Sequence, residues 1–408
     1  MNNMIIIALC LLASSCIIIL HREGLLQTAG AMAVTVIAVS LAFMLRIRYL
    51  SYATGDYNDF LRHWVQYFRQ NGGFRGLSGS VGNYNLPYLY FLALFSYIDV
   101  YDLHLIKLLS IAFDVVLAFA SMKLVGVVTK SESKRLFCFL GVLMLPTVII
   151  NGALWGQCDS IYTAFAVLAL WLALDDRPAA SMVCMTLSFS FKLQAVFIMP
   201  VYFILLFTKR VSFKHFFLFP ATYFVIVLPA VVMGRPLIDA VMLYYNQIGS
   251  TGTGLNYNSP SIYAFISGQF TPGLLSGIGI FLAFGFVLVI FAWLYRRREN
   301  VSNFVVILAA ALFCVAVPFF LPHMHDRYFF MADVFTLIVA VLAPKYFVMP
   351  LLGSFASLIC YYAYLQRRFL MPLRTGSLAL IAVGYLLIAE IYFQFDDMET
   401  ARTDAEMC

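Results

Sequence analysis

One apolar run after another, many of them close to the length of a bilayer crossing, constrains this chain more than anything else in it. A hydrocarbon core about 30 Å thick takes about 20 apolar residues of helix. Runs of that character occupy 4–20, 25–45, 86–100, 104–127, 136–152, 160–174, 180–191, 194–207, 216–233, 273–295, 303–321, 328–343, 346–365 and 375–393. The shortest of them, such as 180–191, cannot cross alone. Only brief polar breaks separate the runs, so the reading is an all-α polytopic membrane protein, a bundle of about 12–14 transmembrane or half-inserted helices. Residues 1–395 then make one membrane domain and residues 396–408 a short polar C-terminal tail.

Composition agrees. Hydrophobic residues are 63% of the chain and charged ones 11%, against roughly 45–50% and roughly 25% in a soluble domain. The net charge of +6 does not point to nucleic acid, because the basic residues gather in short clusters between apolar runs. Lys130, Lys134 and Arg135, then Lys209, Arg210 and Lys214, then Arg296, Arg297 and Arg298 are expected on the cytoplasmic side by the positive-inside rule. Most of the eight Cys lie inside apolar runs with no CxxC pair, so neither a zinc site nor a disulfide framework is indicated. The start, MNNMIIIALCLLASSCIIIL, lacks a basic n-region and a clear cleavage site, and reads as a retained first helix.

That orientation puts every unusual polar segment on the outward side: the loop 46–85, the turn 155–160, the turn 191–194, the long loop 234–272 and the segment 322–327. It requires 180–207 to be a hairpin of two short helices turning at Phe191 to Gln194, and 86–100 to be half-inserted, as is tolerated beside a water-filled cavity. Arg367, Arg368 and Arg374 fall outward under the same count, against the rule.

The first outward loop holds GDYNDFLRHW. Phe60, Trp64, Val65 and Phe68 space like one face of an interfacial helix lying flat on the membrane. Asp56, behind a Gly, is then a carboxylate at the membrane surface, suited to deprotonate an acceptor hydroxyl as a general base. Asp59 is the second candidate, and Arg62, His63 and Trp64 are supporting residues. The plain alternative is a solvated loop carboxylate. In LWGQCDSIYTAF, Trp155, Gln157 and Asp159 sit at the end of an apolar run, where polar side chains are costly and tend to mark function. An amide, a carboxylate and an aromatic suit sugar hydroxyls; the alternative is an N-cap by Asp159 or Ser160. In SFSFKLQAVFIMP, Lys192 is too deep for easy snorkelling and is expected to meet a phosphate, with Gln194 beside it. In FLPHMHDRYFF, a metal site, a proton relay and a phosphate clamp compete for His323, His325 and Arg327. The guanidinium fork favours phosphate. The loop around Tyr257 is rich in Gly, Asn and Tyr, and is either a linker or a lid over a saccharide.

These segments resemble a known family. GDYNDFLRHW is similar to the Gly-Asp-aromatic segment followed by Arg-His-Trp in the dolichyl-phosphate-glucose-dependent glucosyltransferases of N-glycan assembly, SFKLQAVFIMP to their Phe-Lys-His segment, and PHMHDRYFF to their His-x-His-Glu-Lys segment. Those enzymes are of the GT-C superfamily. The wording NYNLPYLYFLALFSYI, WGQCDSIY and MHDRYFF looks closer still to bacterial GT-C proteins. Leu193 stands where the eukaryotic segment has His, the Arg-His-Trp spacing from Asp56 is one residue longer, and there is an extra N-terminal span, so the sugar identity does not carry over. The resemblance implies a GT-C-like bundle with an outward-facing active site, in a multi-pass protein of a bacterial plasma membrane. It implies a polyprenyl-phosphate-linked hexose as donor, its phosphate between Lys192 and the His325/Arg327 cluster, and a cell-envelope glycan or lipid-linked acceptor. Asp56 would be the base of a single inverting displacement needing neither cofactor nor metal. Two readings compete. A polysaccharide polymerase or ligase using pyrophosphate-linked oligosaccharide needs no early acidic loop motif, and a lipid or sugar transporter predicts midplane polar residues and symmetric halves.

Overall fold

The computed structural model describes residues 2–247, 254–266 and 272–407, with side chains described over 2–245, 254–266 and 272–396. The expected apolar runs are helical over most of their length. Among the described residues eight helices are long and apolar enough to cross a membrane, a bent pair makes a ninth if it is one span, and four shorter apolar helices join them. The protein is therefore an all-α polytopic membrane protein, with helices in the number the apolar runs led us to expect. Its contacts divide it into two compact units, Met1–Ala195 with Lys214–Thr251, and Val196–Phe213 with Gly252–Cys408.

The first unit begins with α1 (Asn3–Arg22) and α2 (Ala29–Tyr49), capped by the side chains of Asn2 and Thr28. Both leave large apolar side chains such as Ile7, Leu11, Ile37 and Met44 exposed, as lipid-facing helices do. After α3 (Arg62–Gln70) and α4 (Leu86–Phe95) come α5 (Asp102–Gly126), α6 (Glu132–Met144), α7 (Pro146–Ile149), α8 (Asp159–Leu174) and α9 (Pro178–Phe191). The expected span 136–152 is broken at Leu145, where the direction changes by 43°. Pro146 is the cause: a proline disfavours helical backbone at the residue before it, and Leu145 is extended. Its 16 residues make α8 about 24 Å long, too short to cross alone. It is instead wrapped by α5 and α9 and buried on nearly all sides, the place for a helix apolar all round.

Charge crosses this interior. Arg46 of α2 and Asp114 of α5 are both fully buried, with Arg46 Nε donating to Asp114 Oδ2 at 2.9 Å. Arg46 also donates to the carbonyls of Ala42 and Leu143, and Ser160 at the start of α8 donates to Asp114 Oδ1 at 2.5 Å. A buried pair of this kind gains little against its desolvation cost but is expensive to break. Here it fixes α2, α5 and α8 in one register.

The interfacial helix differs from expectation. Trp64, Val65 and Phe68 are buried inside the first unit, where α3 packs on α4 and α5, and only Phe60 of the expected face stays exposed. The turn at Phe191 to Gln194 is present: α9 ends at Phe191, Lys192 is extended, and a 3-10 turn covers Leu193–Phe197.

In the second unit Asn303–Phe320 and Phe330–Leu342 form a buried pair of helices, flanked by Pro272–Arg296, Val348–Leu365 and Arg374–Met407. The last of these continues through the tail residues. A short parallel pairing joins Asn256–Tyr257 to Met324–His325.

Candidate active site

The wall carrying Asp56 starts where α2 stops. The ammonium of Lys107, a fully buried residue of α5, donates to the carbonyls of Tyr49 at 2.8 Å and Tyr52 at 2.6 Å, a cation on the orphan carbonyls of a helix end. Two residues on, Thr54 Oγ1 donates to Trp155 O at 3.1 Å. The chain thus reaches Asp56 tethered at three points. A π-turn over Tyr57–Leu61 follows. Tyr57 is buried edge-on to Tyr101 at 5.9 Å between centroids, and burial pushes its phenol above its ordinary pKa.

The opposite wall comes from the start of α8. A π-turn over Ile150–Trp155 ends at Gly156 with φ +80°, a left-handed conformation glycine adopts without strain. A Cβ there would also stand 3.7 Å from Lys107. The backbone N–H of Gln157 donates to Asn151 O at 3.0 Å, and Ser110 Oγ donates to the Gln157 backbone carbonyl at 2.6 Å. This fixed turn aims two side chains at one point. Trp155 Nε1 donates to Asp56 Oδ2 at 2.8 Å, and Gln157 Nε2 donates to the same oxygen at 2.5 Å.

Gln157 also links outward, its Oε1 accepting from Tyr84 OH at 3.0 Å. Tyr84 lies edge-on to the buried Trp64 at 5.4 Å, and a Cβ on Gly82 would run into that indole. Behind Gln157, the buried carboxylate of Asp159 accepts from Asn151 Nδ2 at 2.7 Å and is ion-paired with Lys192 Nζ. The ammonium of Lys192 stands 6.0 Å from the Tyr84 ring centroid and 5.7 Å from that of Tyr162. No side chain caps α8: Asp159 takes Asn151 and Lys192, and Ser160 takes Asp114. That corrects the N-cap alternative.

Of the residues singled out in the sequence, the structure thus joins Asp56, Trp155, Gln157, Asp159, Lys192 and Trp64 in one network. Asp59, Arg62 and His63 are exposed beside it, and among the described residues Asp59 has no hydrogen-bond partner. Gln194 is half-buried, with an amide oxygen that finds no partner among the described residues. The remaining four belong to the second unit. His323, at φ +61°, pairs its Nδ1 with Gly254 O at 2.7 Å, and His325 stacks on Tyr257 at 4.7 Å. Arg327 Nη1 lies 3.4 Å from Asp326 Oδ1. Parts of the loop 234–272 read as a lid, 248–253 and 267–271, lie outside the described residues.

Sequence reasoning missed Thr54, Tyr84, Lys107, Ser110 and Asn151. Lys107 and Asn151 carried a usable signal, since each interrupts an apolar run. Tyr84 and Ser110 carried none.

Among comparisons with known proteins, residues 83–322, more than half of the chain, match the family model described as Glycosyltransferase family 87. The matched span includes Tyr84, Lys107, Trp155, Gln157, Asp159 and Lys192, begins after the segment carrying Asp56, and stops one residue before His323. No curated protein matches the sequence.

Proposed function

The chain belongs to Glycosyltransferase family 87, and from that premise we propose that it moves a hexose from a polyprenyl-phosphate-sugar donor to a cell-envelope glycan or lipid-linked acceptor at the outer face of the plasma membrane, with Asp56 as base. The observation that carries this is the pair of N–H donors on one carboxylate oxygen of Asp56. Trp155 and Gln157 come from a segment about a hundred residues away, and together they orient the carboxylate for proton abstraction. A base positioned in this way accelerates transfer by about 10²–10⁴-fold.

The step is a single displacement. The acceptor hydroxyl loses its proton to Asp56 while its oxygen bonds to the sugar's anomeric carbon. On the far face, the bond from that carbon to the phosphate oxygen breaks, and the polyprenyl phosphate leaves with the electron pair. Configuration inverts. The half-buried ring of Tyr84 offers an apolar face to a sugar ring, and the Lys192 ammonium, held in place by the buried Asp159, offers a donor to its hydroxyls or to the donor phosphate.

Transfer by the purified protein, measured with a panel of polyprenyl-phosphate sugars, tests this directly. Asp56→Asn is expected to lose transfer by at least about 10²-fold while keeping its thermal unfolding temperature. A folded Asn variant with full activity refutes the base role. Turnover only with pyrophosphate-linked oligosaccharides refutes the donor class and turns the reading to a polymerase or ligase.

A further inference from the structure

The first unit has a second polar site, at the other end of the helices that build the first. A cavity of about 450 Å³ is lined by Lys123, Gly126 and Lys130 from the end of α5 and the turn after it, by Arg135 of α6, and by Trp171 and Asp176 at the end of α8. That volume is in the range of small-ligand sites, about 300–1,000 Å³. Leu174, the last residue of α8, lines it, while Asp159, the first, lies in the candidate active site. The length of α8, about 24 Å for its 16 residues, is most of a hydrocarbon core about 30 Å thick. The cavity therefore lies at the opposite end of α8 from the candidate active site, among Lys130 and Arg135, which the positive-inside rule assigns to the cytoplasmic interface.

Its walls carry opposite charge. On one side Glu23 is shared between Lys123, at 3.1 Å, and Arg135. Two cations on one carboxylate leave a positive charge, and the exposed Lys130 adds another. Arg135 Nε is buried with no hydrogen-bond partner among the described residues, and Gly126 packs beside it, a Cβ there standing 3.4 Å away. On the other side Asp175 is paired with Arg177 at 2.9 Å, and Asp176 is exposed. The Trp171 ring already has Lys123 Nζ at 5.3 Å and Arg177 Cζ at 4.7 Å, so a ligand cation goes to Asp176 rather than to the indole. Trp at this depth is the residue that sits at headgroup level.

We propose that this cavity binds the headgroup of a zwitterionic phospholipid carrying a primary ammonium, with the phosphodiester on Lys130 and Arg135 and the ammonium on Asp176. A purely anionic headgroup satisfies the basic wall and faces a bare carboxylate across it. A quaternary ammonium reaches Asp176 but donates it no hydrogen bond. The proposal is independent of the Asp56 chemistry.

Native mass spectrometry of the full chain in detergent, titrated with phosphatidylethanolamine, phosphatidylcholine and phosphatidylglycerol of identical acyl chains, tests it. Phosphatidylethanolamine is expected to bind about tenfold more tightly than phosphatidylglycerol, the size of one charge-assisted contact. Asp176→Asn should fold, because Asn tolerates the left-handed backbone at φ +55°. It is expected to abolish the preference for phosphatidylethanolamine while still binding phosphatidylglycerol. Lys130→Ala is expected to weaken all three lipids. Equal or tighter binding of phosphatidylglycerol by the wild type, an unchanged preference in Asp176→Asn, or unchanged affinities in Lys130→Ala each overturns the proposal. Displacement of the lipid by an equal concentration of soluble glycerophosphoethanolamine overturns the lipid as the source of the headgroup.

Discussion

The two ends of α8 are built from the same kinds of side chain and differ in their access to water. At its first turn Asp159 and Ser160 are buried, and Asn151, Lys192 and Asp114, which they contact, are buried with them. At its last turn Trp171 and Asp175 lie beside Lys123, Arg135 and Glu23, all partly open. Charges held in a dry interior interact strongly and in one geometry, whereas the same charges beside water exchange partners at small cost. The proposed roles follow that division, the first end orienting a reacting group and the second receiving a ligand.

Breaking the dry end should be the costlier. Asp114→Ala leaves Arg46 buried without its carboxylate, and removing one partner of such a pair costs about 3–5 kcal/mol. The expected result is a large fall in unfolding temperature in detergent, together with lost transfer, because α2 and the start of α8 lose their shared register. A milder break at the same end is Gln157→Leu, which removes one N–H donor from Asp56. A hydrogen bond to a charged group is worth about 1.5–3 kcal/mol, so transfer should fall by about 10–100-fold with the unfolding temperature close to wild type. At the open end, Glu23→Gln weakens two half-exposed ion pairs. There the expected loss is at most about 1 kcal/mol of stability, read as a small shift in unfolding temperature, with transfer intact. A Glu23 variant as damaged as the Asp114 variant would erase the distinction between the two ends.

The same physics explains what could be read in advance. The spans were legible because apolar length is a property of the sequence alone, and so was the turn at Lys192, where a charge interrupts an apolar run. Trp155, Gln157 and Asp159 stood out for the same reason. Lys107, Asp114 and Asn151 obey that rule equally and bring α5 and the π-turn before Gly156 into the site, but Lys107 and Asp114 find their partners, the carbonyls of Tyr49 and Tyr52 and the guanidinium of Arg46, more than fifty residues away, which no local spacing names. The helix over Arg62–Gln70 shows a different limit. Its pattern fixes that one face is apolar, not whether lipid or protein covers it, and here α4 and α5 cover it. The π-turn after Asp56 was illegible altogether, since one residue's change of helical pitch leaves no compositional mark.

That π-turn separates the surroundings of the two carboxylates of GDYNDF. Asp56 precedes it and faces Trp155 and Gln157, whereas Asp59, inside it, is exposed and has no hydrogen-bond partner among the described residues. An exposed carboxylate without a partner contributes little to stability, and a surface substitution there should stay within about 0.5 kcal/mol. Asp59→Asn is therefore expected to change transfer by less than about threefold, half a kcal/mol being a factor of two to three. Measured beside Asp56→Asn in the same membranes, a collapse at Asp59 with activity retained at Asp56 would exchange their roles. The pair of donors on Asp56 would then orient a carboxylate that contacts substrate without taking its proton.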